Sequence, residues 1–210
     1  MTAPKASSKP AKSPRKKPVQ ADGRRERSRS SRARIVSAML ELVGKGDFSP
    51  SAARVAEVAG VGLRSVFRHF EDMDALFREI SETIEARVLP IITQPPKGDT
   101  WQDRLMEIAE RRAKVFEMMM PYRLSAEVKR LQSPYLLQNY RRVLQLEGET
   151  IDVHLPEHIA ADIHGTQAIK VILSFQTWRY LRDDQQLPVQ QAKAVVRRML
   201  SDSLAAMGDA

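Results

Sequence analysis

Apolar residues recur at helical spacing along most of the chain from Arg24 onward, and the interruptions fall at glycine, proline and capping residues. Ile35, Val36, Met39, Leu40 and Val43 share one face of a first helix, which Gly44 and Gly46 end. Ala52, Val55, Ala56 and Ala59 stand at i, i+3, i+4 and i+7, with Ser51 placed to cap the free N–H groups ahead of them. Gly60-Val61-Gly62 supplies a tight turn with one apolar plug. Helical spacing then resumes from Leu63 to Phe70, where Leu63, Val66, Phe67 and Phe70 are apolar and Arg64, Ser65, Arg68 and His69 lie between them. Two short helices joined by a glycine turn, the second bearing cations, predict a helix-turn-helix.

Asp72 is the expected cap of a fourth helix that carries Leu76, Phe77, Ile80 and Ile84 and runs to about Val88, ahead of Pro90. The Pro- and Gly-containing run ITQPPKGD places a domain boundary near residue 90. Thr100 and Asp103 form a capping-box pattern for a helix with Leu105, Ile108, Val115, Phe116 and Met119, which Pro121 is expected to break. A shorter helix to about Leu131 follows, then one opened by Pro134 and ending near Gly148. Glu157 to about Arg182 reads as the longest helix, apolar on nearly every face between Ala168 and Phe175, and Pro188 opens the last. No strand pattern competes, so the expected fold class is all-α.

These residues carry a resemblance. The run Phe48, Ser51, Val55-Ala56, Ala59-Gly60-Val61, Ser65, Phe67, His69-Phe70, Asp72 and Asp74-Ala75-Leu76 resembles the DNA-binding domain of the TetR family of bacterial transcriptional repressors, over roughly residues 30 to 80. The resemblance implies an N-terminal three-helix DNA-binding domain and a C-terminal helical domain for ligand binding and dimerisation. It implies DNA contacts around Ser51 and Arg54 and along Gly62, Leu63, Arg64, Ser65, Phe67, Arg68 and His69. Phe67 stands where a phosphate-binding tyrosine is usual, Met73 where a lysine is usual, and Gly62 where a serine or threonine is common. The expected division is a basic tail over 1–22, the helix-turn-helix domain with its connecting helix over 23–90, and a regulatory and dimerisation domain over 91–210.

Composition sharpens this picture in two places. The net charge of +8 is uneven: residues 1–34 hold twelve of the 34 Lys and Arg and two of the 26 acids, so the remaining 176 residues are mildly acidic. Attraction to polyanions is therefore focused at one end. The tail is too polar to offset its ordering entropy and is expected to be disordered, either lying along DNA phosphates or serving as a solubilising segment. The absence of cysteine excludes disulfides, thiolate zinc sites and a cysteine nucleophile. No apolar run long enough for a membrane span and no secretory signal is readable, and a cytoplasmic location is expected.

Chemistry-bearing candidates in the body are less sharply marked. Phe116, Met119, Met120, Tyr140, Phe175 and Trp178 can line an apolar cavity between helices or serve as ordinary core. His154, His158 and His164 with Asp162 lack metal-ligand spacing, and no metal or cofactor is expected. With no phosphate-cradling loop, nucleophile elbow or HExxH, no catalytic residue is expected either. The last two helices carry apolar surface suited to an isologous four-helix bundle, with Ile172 expected at or near its seam. The expected function is a homodimeric repressor on a palindromic double-stranded operator, released by a small-molecule effector. Two alternatives are a helix-turn-helix regulator without a small ligand and a tail-driven, sequence-independent nucleic-acid coating protein.

Overall fold

The computed structural model describes residues 20–70 and 73–207, with side chains from residue 25 onward. The segment 1–19 and the Asp72 cap lie outside the described residues. All regular structure among the described residues is helical: α1 (Gln20–Gly44), α2 (Ala52–Ala59), α3 (Leu63–His69), α4 (Met73–Ile92), α5 (Trp101–Lys129), α6 (Pro134–Asp152), α7 (Glu157–Ala161), α8 (Ile163–Ile172), α9 (Phe175–Arg179) with a π-helical turn after it (Tyr180–Asp184), and α10 (Val189–Met207). The all-α expectation holds, while α1 begins four residues ahead of Arg24.

The helix-turn-helix forms as its sequence dictates. The Ser51 hydroxyl accepts from the Arg54 N–H at 3.2 Å, closing one orphan donor of α2. Gly60 adopts φ 61° and ψ 39°, a left-handed conformation that a side chain resists, and the Val61 N–H returns to the Ala56 carbonyl at 3.0 Å. The Thr100–Asp103 capping box and the Pro134 start of α6 are also present.

Three expectations are corrected. Pro121 does not break its helix, because α5 runs unbroken from Trp101 to Lys129, and Pro90 likewise lies inside α4. A proline costs its helix one hydrogen bond and a steric clash. At Pro121 packing on both sides offsets that cost: Met119 and Tyr122 lie against one core and Phe116 and Met120 against the other. The stretch from Glu157 to Arg182 is not one helix. Asp162 accepts from the His164 and Gly165 N–H groups, both at 3.1 Å, and Ser174 Oγ accepts from the Thr177 N–H at 3.1 Å, so each polar side chain starts a new helix. The third correction is that α6 continues past Gly148 to Asp152.

Two cores result, joined by α5. The first unites Ile35, Met39 and Val43 of α1 with Val55 and Ala59 of α2, Val66 and Phe70 at α3, and Leu76, Ile80 and Ile84 of α4; Leu136 of α6 completes it. The second holds Leu105, Ile108 and Phe116 of α5 with Ile151, Ile169, Trp178, Leu200 and Leu204. Polar bonds tie the two parts together. Ser125 Oγ on α5 donates to the Phe48 carbonyl at 2.8 Å, and Ser133 Oγ donates to Asp74 Oδ1 at 2.6 Å. At Gly165 an added Cβ would stand 2.5 Å from Asp162 Oδ2 and 1.9 Å from Met207 Cε, so a larger residue there would push the Met207 and Asp162 side-chain ends aside.

Candidate functional site

The second helix of the motif, α3, sends Val66 into the first core, and Phe70 just after it follows. The opposite face is open. Leu63, Arg64, Phe67 and Arg68 are exposed, two i, i+4 pairs on a seven-residue helix, and Phe67 is 57% exposed despite being aromatic. Arg64 makes no hydrogen bond or ion pair among the described residues, so its guanidinium is unspent. Arg68 Nη2 reaches Ser65 Oγ weakly at 3.4 Å, and Arg54 is paired with Glu57 at 2.7 Å on exposed surface. Gly62 is exposed at the start of α3, and Ser51 is committed to its cap.

Arg32 fastens this helix from behind. Its Nη1 donates to the His69 carbonyl at 2.5 Å, its Nε pairs with Glu79 Oε2 at 2.6 Å, and its guanidinium lies 4.4 Å from the centre of the Phe70 ring. Arg34, two residues on, leans 3.4 Å from the Gly60 carbonyl.

His69 differs from its neighbours on α3. Its Nε2 is buried with no hydrogen-bond partner among the described residues. Burial first, then the Arg68 and Arg32 charges, push its pKa below the ordinary 6.5. The folded state thus resists a proton that the unfolded chain accepts, so the contribution is whole above pH 6.5 and is lost as pH falls through that value toward the folded pKa. The melting temperature is expected to drop between pH 7.5 and 5.5, and less so in His69→Gln; equal drops in melting scans of the two proteins would remove His69 from the effect.

Two sizeable cavities, each open to solvent on one side, share α4, α5 and α6 as walls. The smaller, about 160 Å³, is lined by Met119, Tyr140 and Phe175 among others. The larger, about 410 Å³, takes in Val88, Leu89 and Ile92 of α4, Ile108, Val115, Phe116 and Met119 of α5, and Leu146 and Thr150 of α6. Its size suits a small organic ligand. The structure thus brings four of the six candidates, Phe116, Met119, Tyr140 and Phe175, to cavity walls, with Phe116 and Phe175 edge to face at 5.5 Å. Met120 and Trp178 line neither of these cavities. Met120 packs against the second core, and Trp178 is buried there with its indole N–H on Glu117 Oε1 at 2.9 Å.

Sequence reading missed the cavity's polar side. Arg111, Arg112, Arg123 and Arg142 border it together with Glu85, Glu147 and His154. Burial, and then the Arg104 and Arg111 charges, lower the pKa of His154. Asp162 caps α8. No group of three or more metal-ligating side chains is assembled among the described residues.

No family model matches the chain, and no curated protein matches it. Among solved structures, the fold is similar to the crystal structure of a transcriptional regulator from Rhodococcus sp. Rha1, with a TM-score of 0.63 and 16% sequence identity over 83% of this chain and 96% of that one. At that identity the likeness is one of fold. No helix among the described residues is long and apolar enough to cross a membrane.

Proposed function

We propose that this protein is a dimeric, sequence-specific DNA-binding transcriptional repressor of the TetR type, non-enzymatic and cytoplasmic, released from a palindromic operator by a small molecule. The observation that carries the reading is the open face of α3: an unspent Arg64 at its first turn, with Leu63, Phe67 and Arg68 beside it, on a helix whose other face is locked into the core. A cation there can reach a guanine edge in the major groove, and exposed apolar side chains suit thymine methyl groups. The fold shared with a transcriptional regulator supports it.

Dimer formation draws support from apolar side chains left in the open on the last helices. Ile163 and Val171 of α8 are 70% and 61% exposed, and Met199 of α10 is exposed as well. Patches of that kind favour a second copy, and two copies supply the two-fold symmetry that paired half-sites about 34 Å apart require. Effector release draws support from α4, which lines both cavities with one stretch and enters the first core with Leu76, Phe77 and Ile80. A ligand that displaces α4 displaces the reading helix with it.

The testing experiment is selection of binding sites from random duplex DNA by wild type and Arg64→Ala. Wild type is expected to return a palindrome. The variant is expected to lose about 1–3 kcal/mol of discrimination at one symmetric pair of positions. An unchanged preference would reduce Arg64 to surface, and a wild type that selects nothing would sink sequence-specific binding.

A further inference from the structure

The larger cavity has an unbalanced end. Four guanidiniums border it, and three are already neutralised: Arg111 by Glu107 at 2.7 Å, Arg123 by Glu147 at 2.5 Å and Arg142 by Glu85. Arg112 is the exception. It donates to the Leu173 carbonyl at 2.8 Å, to Thr150 Oγ1 at 2.7 Å and to the Glu147 carbonyl, which are all uncharged oxygens. Two of its five N–H groups, one on Nε and one on Nη1, have no acceptor among the described residues. The Glu147 carboxylate is turned to Arg123, whose guanidinium is stacked 4.4 Å from the Phe175 ring centre.

A buried cation that shares its one nearby counter-charge, Glu147, with Arg123 is costly. Burial, only partly countered by Glu147 and made worse by Arg123, pushes Arg112 down to about 10. Much of the remaining lining is apolar, with Val88 and Val115 buried and Leu89, Ile92, Leu146 and Val153 partly open to solvent. A largely apolar cleft bordered by one guanidinium short of a full counter-charge matches one kind of molecule.

We infer that the effector of this protein is an amphipathic monocarboxylate, its hydrocarbon body filling the largely apolar cleft and its carboxylate bonded to Arg112. The inference rests on the reading of this cavity as the effector site. Thr150 does not compete for the ligand, since its hydroxyl accepts from Arg112 and donates to the Glu147 carbonyl at 2.9 Å, and a carboxylate there accepts from an N–H of Arg112 that the three neutral oxygens leave open.

The test uses the full-length protein and titration calorimetry at sub-micellar concentrations with two matched pairs of probes: decanoate with 1-decanol, and 2-naphthoate with 2-naphthol. At least one acid is expected to bind about tenfold or more tightly than its alcohol, the margin of a charge-assisted hydrogen bond over a neutral one. In Arg112→Gln that preference is expected to shrink to about twofold or less, as the Arg112 charge no longer distinguishes the probes. Leu146→Trp, which keeps Arg112 and fills the cleft, is expected to weaken acid and alcohol together. Should Arg112→Gln fail to fold, the wild-type pairs and Leu146→Trp still decide. Equal affinity within both pairs, no acid binding, or acid binding untouched by Leu146→Trp overturns the inference. DNA affinity with and without the bound acid is measured separately: an acid that occupies the cavity while leaving DNA affinity unchanged upholds the carboxylate site and refutes effector release.

Discussion

Ile172→Glu is expected to unfold the second core, whereas Val171→Glu, one residue away, is expected to fold normally and separate the proposed dimer into monomers. The two side chains are neighbours in sequence and opposites in surroundings: Ile172 is 7% exposed and packed within the core around Leu105 and Trp178, and Val171 is 61% exposed. The surroundings of Ile172 are apolar apart from Arg112, whose guanidinium is held on the Leu173 carbonyl, and a buried carboxylate left unpaired there costs on the order of 3–5 kcal/mol. That is a large part of the 5–15 kcal/mol by which a domain is typically stable. Sequence spacing puts Ile172 at the dimer seam; the break at Leu173 and Ser174 turns it inward instead. Circular dichroism melting reads the first variant and sedimentation velocity the second. A Val171→Glu protein that stays dimeric at micromolar concentration would move the interface off α8.

Trp178→Ala should cost about 3–5 kcal/mol of stability, the usual toll of removing a large aromatic from a packed core. Trp178 is 2% exposed, and its indole joins a polar node in which Glu117 also accepts from Arg182 Nε at 2.8 Å. Burial would raise the Glu117 pKa, but the hydrogen bonds from Arg182 and Trp178 outweigh it and hold the carboxyl below its usual 4.5. The node therefore stabilises the fold above that pH and weakens as pH falls below it. Because Trp178 lines neither large cavity, the ligand profile of the folded fraction should match wild type. Denaturant titration gives the stability, and calorimetry with any cavity ligand gives the profile. A variant of normal stability that has lost ligand binding would place Trp178 at the site after all.

The head was legible because its signals are local. Ser51, the Ala52–Ala59 spacing, Gly60 and the resumption at Leu63 each act within a turn of the chain, and each is found in place. The body was legible in class and blurred in its joints. Pro121 reads as a stop when only its missing N–H is weighed, since packing from both cores is a sum over residues far apart in sequence. Asp162 and Ser174 read as polar interruptions of one helix, although their side chains compete for backbone N–H groups and restart it. The polar end of the large cavity carried no sequence signal at all. Arg112 meets Glu147, Thr150 and Leu173 across 35, 38 and 61 residues, and nothing in its own neighbourhood of the chain announces those partners.

The fastening of α3 by Arg32 limits what any effector can do. One planar group with fixed donor directions holds the His69 carbonyl, Glu79 and the Phe70 ring at once, so tilting α3 against its own scaffold would forfeit all three. That internal degree of freedom is frozen. What is left to vary is the placement of α1 to α4 as a solid body, which in the proposed dimer is the spacing between two such bodies. In the proposed dimer, an effector acting through that one variable leaves the bases preferred within each half-site unchanged and alters only which distance between half-sites is bound best.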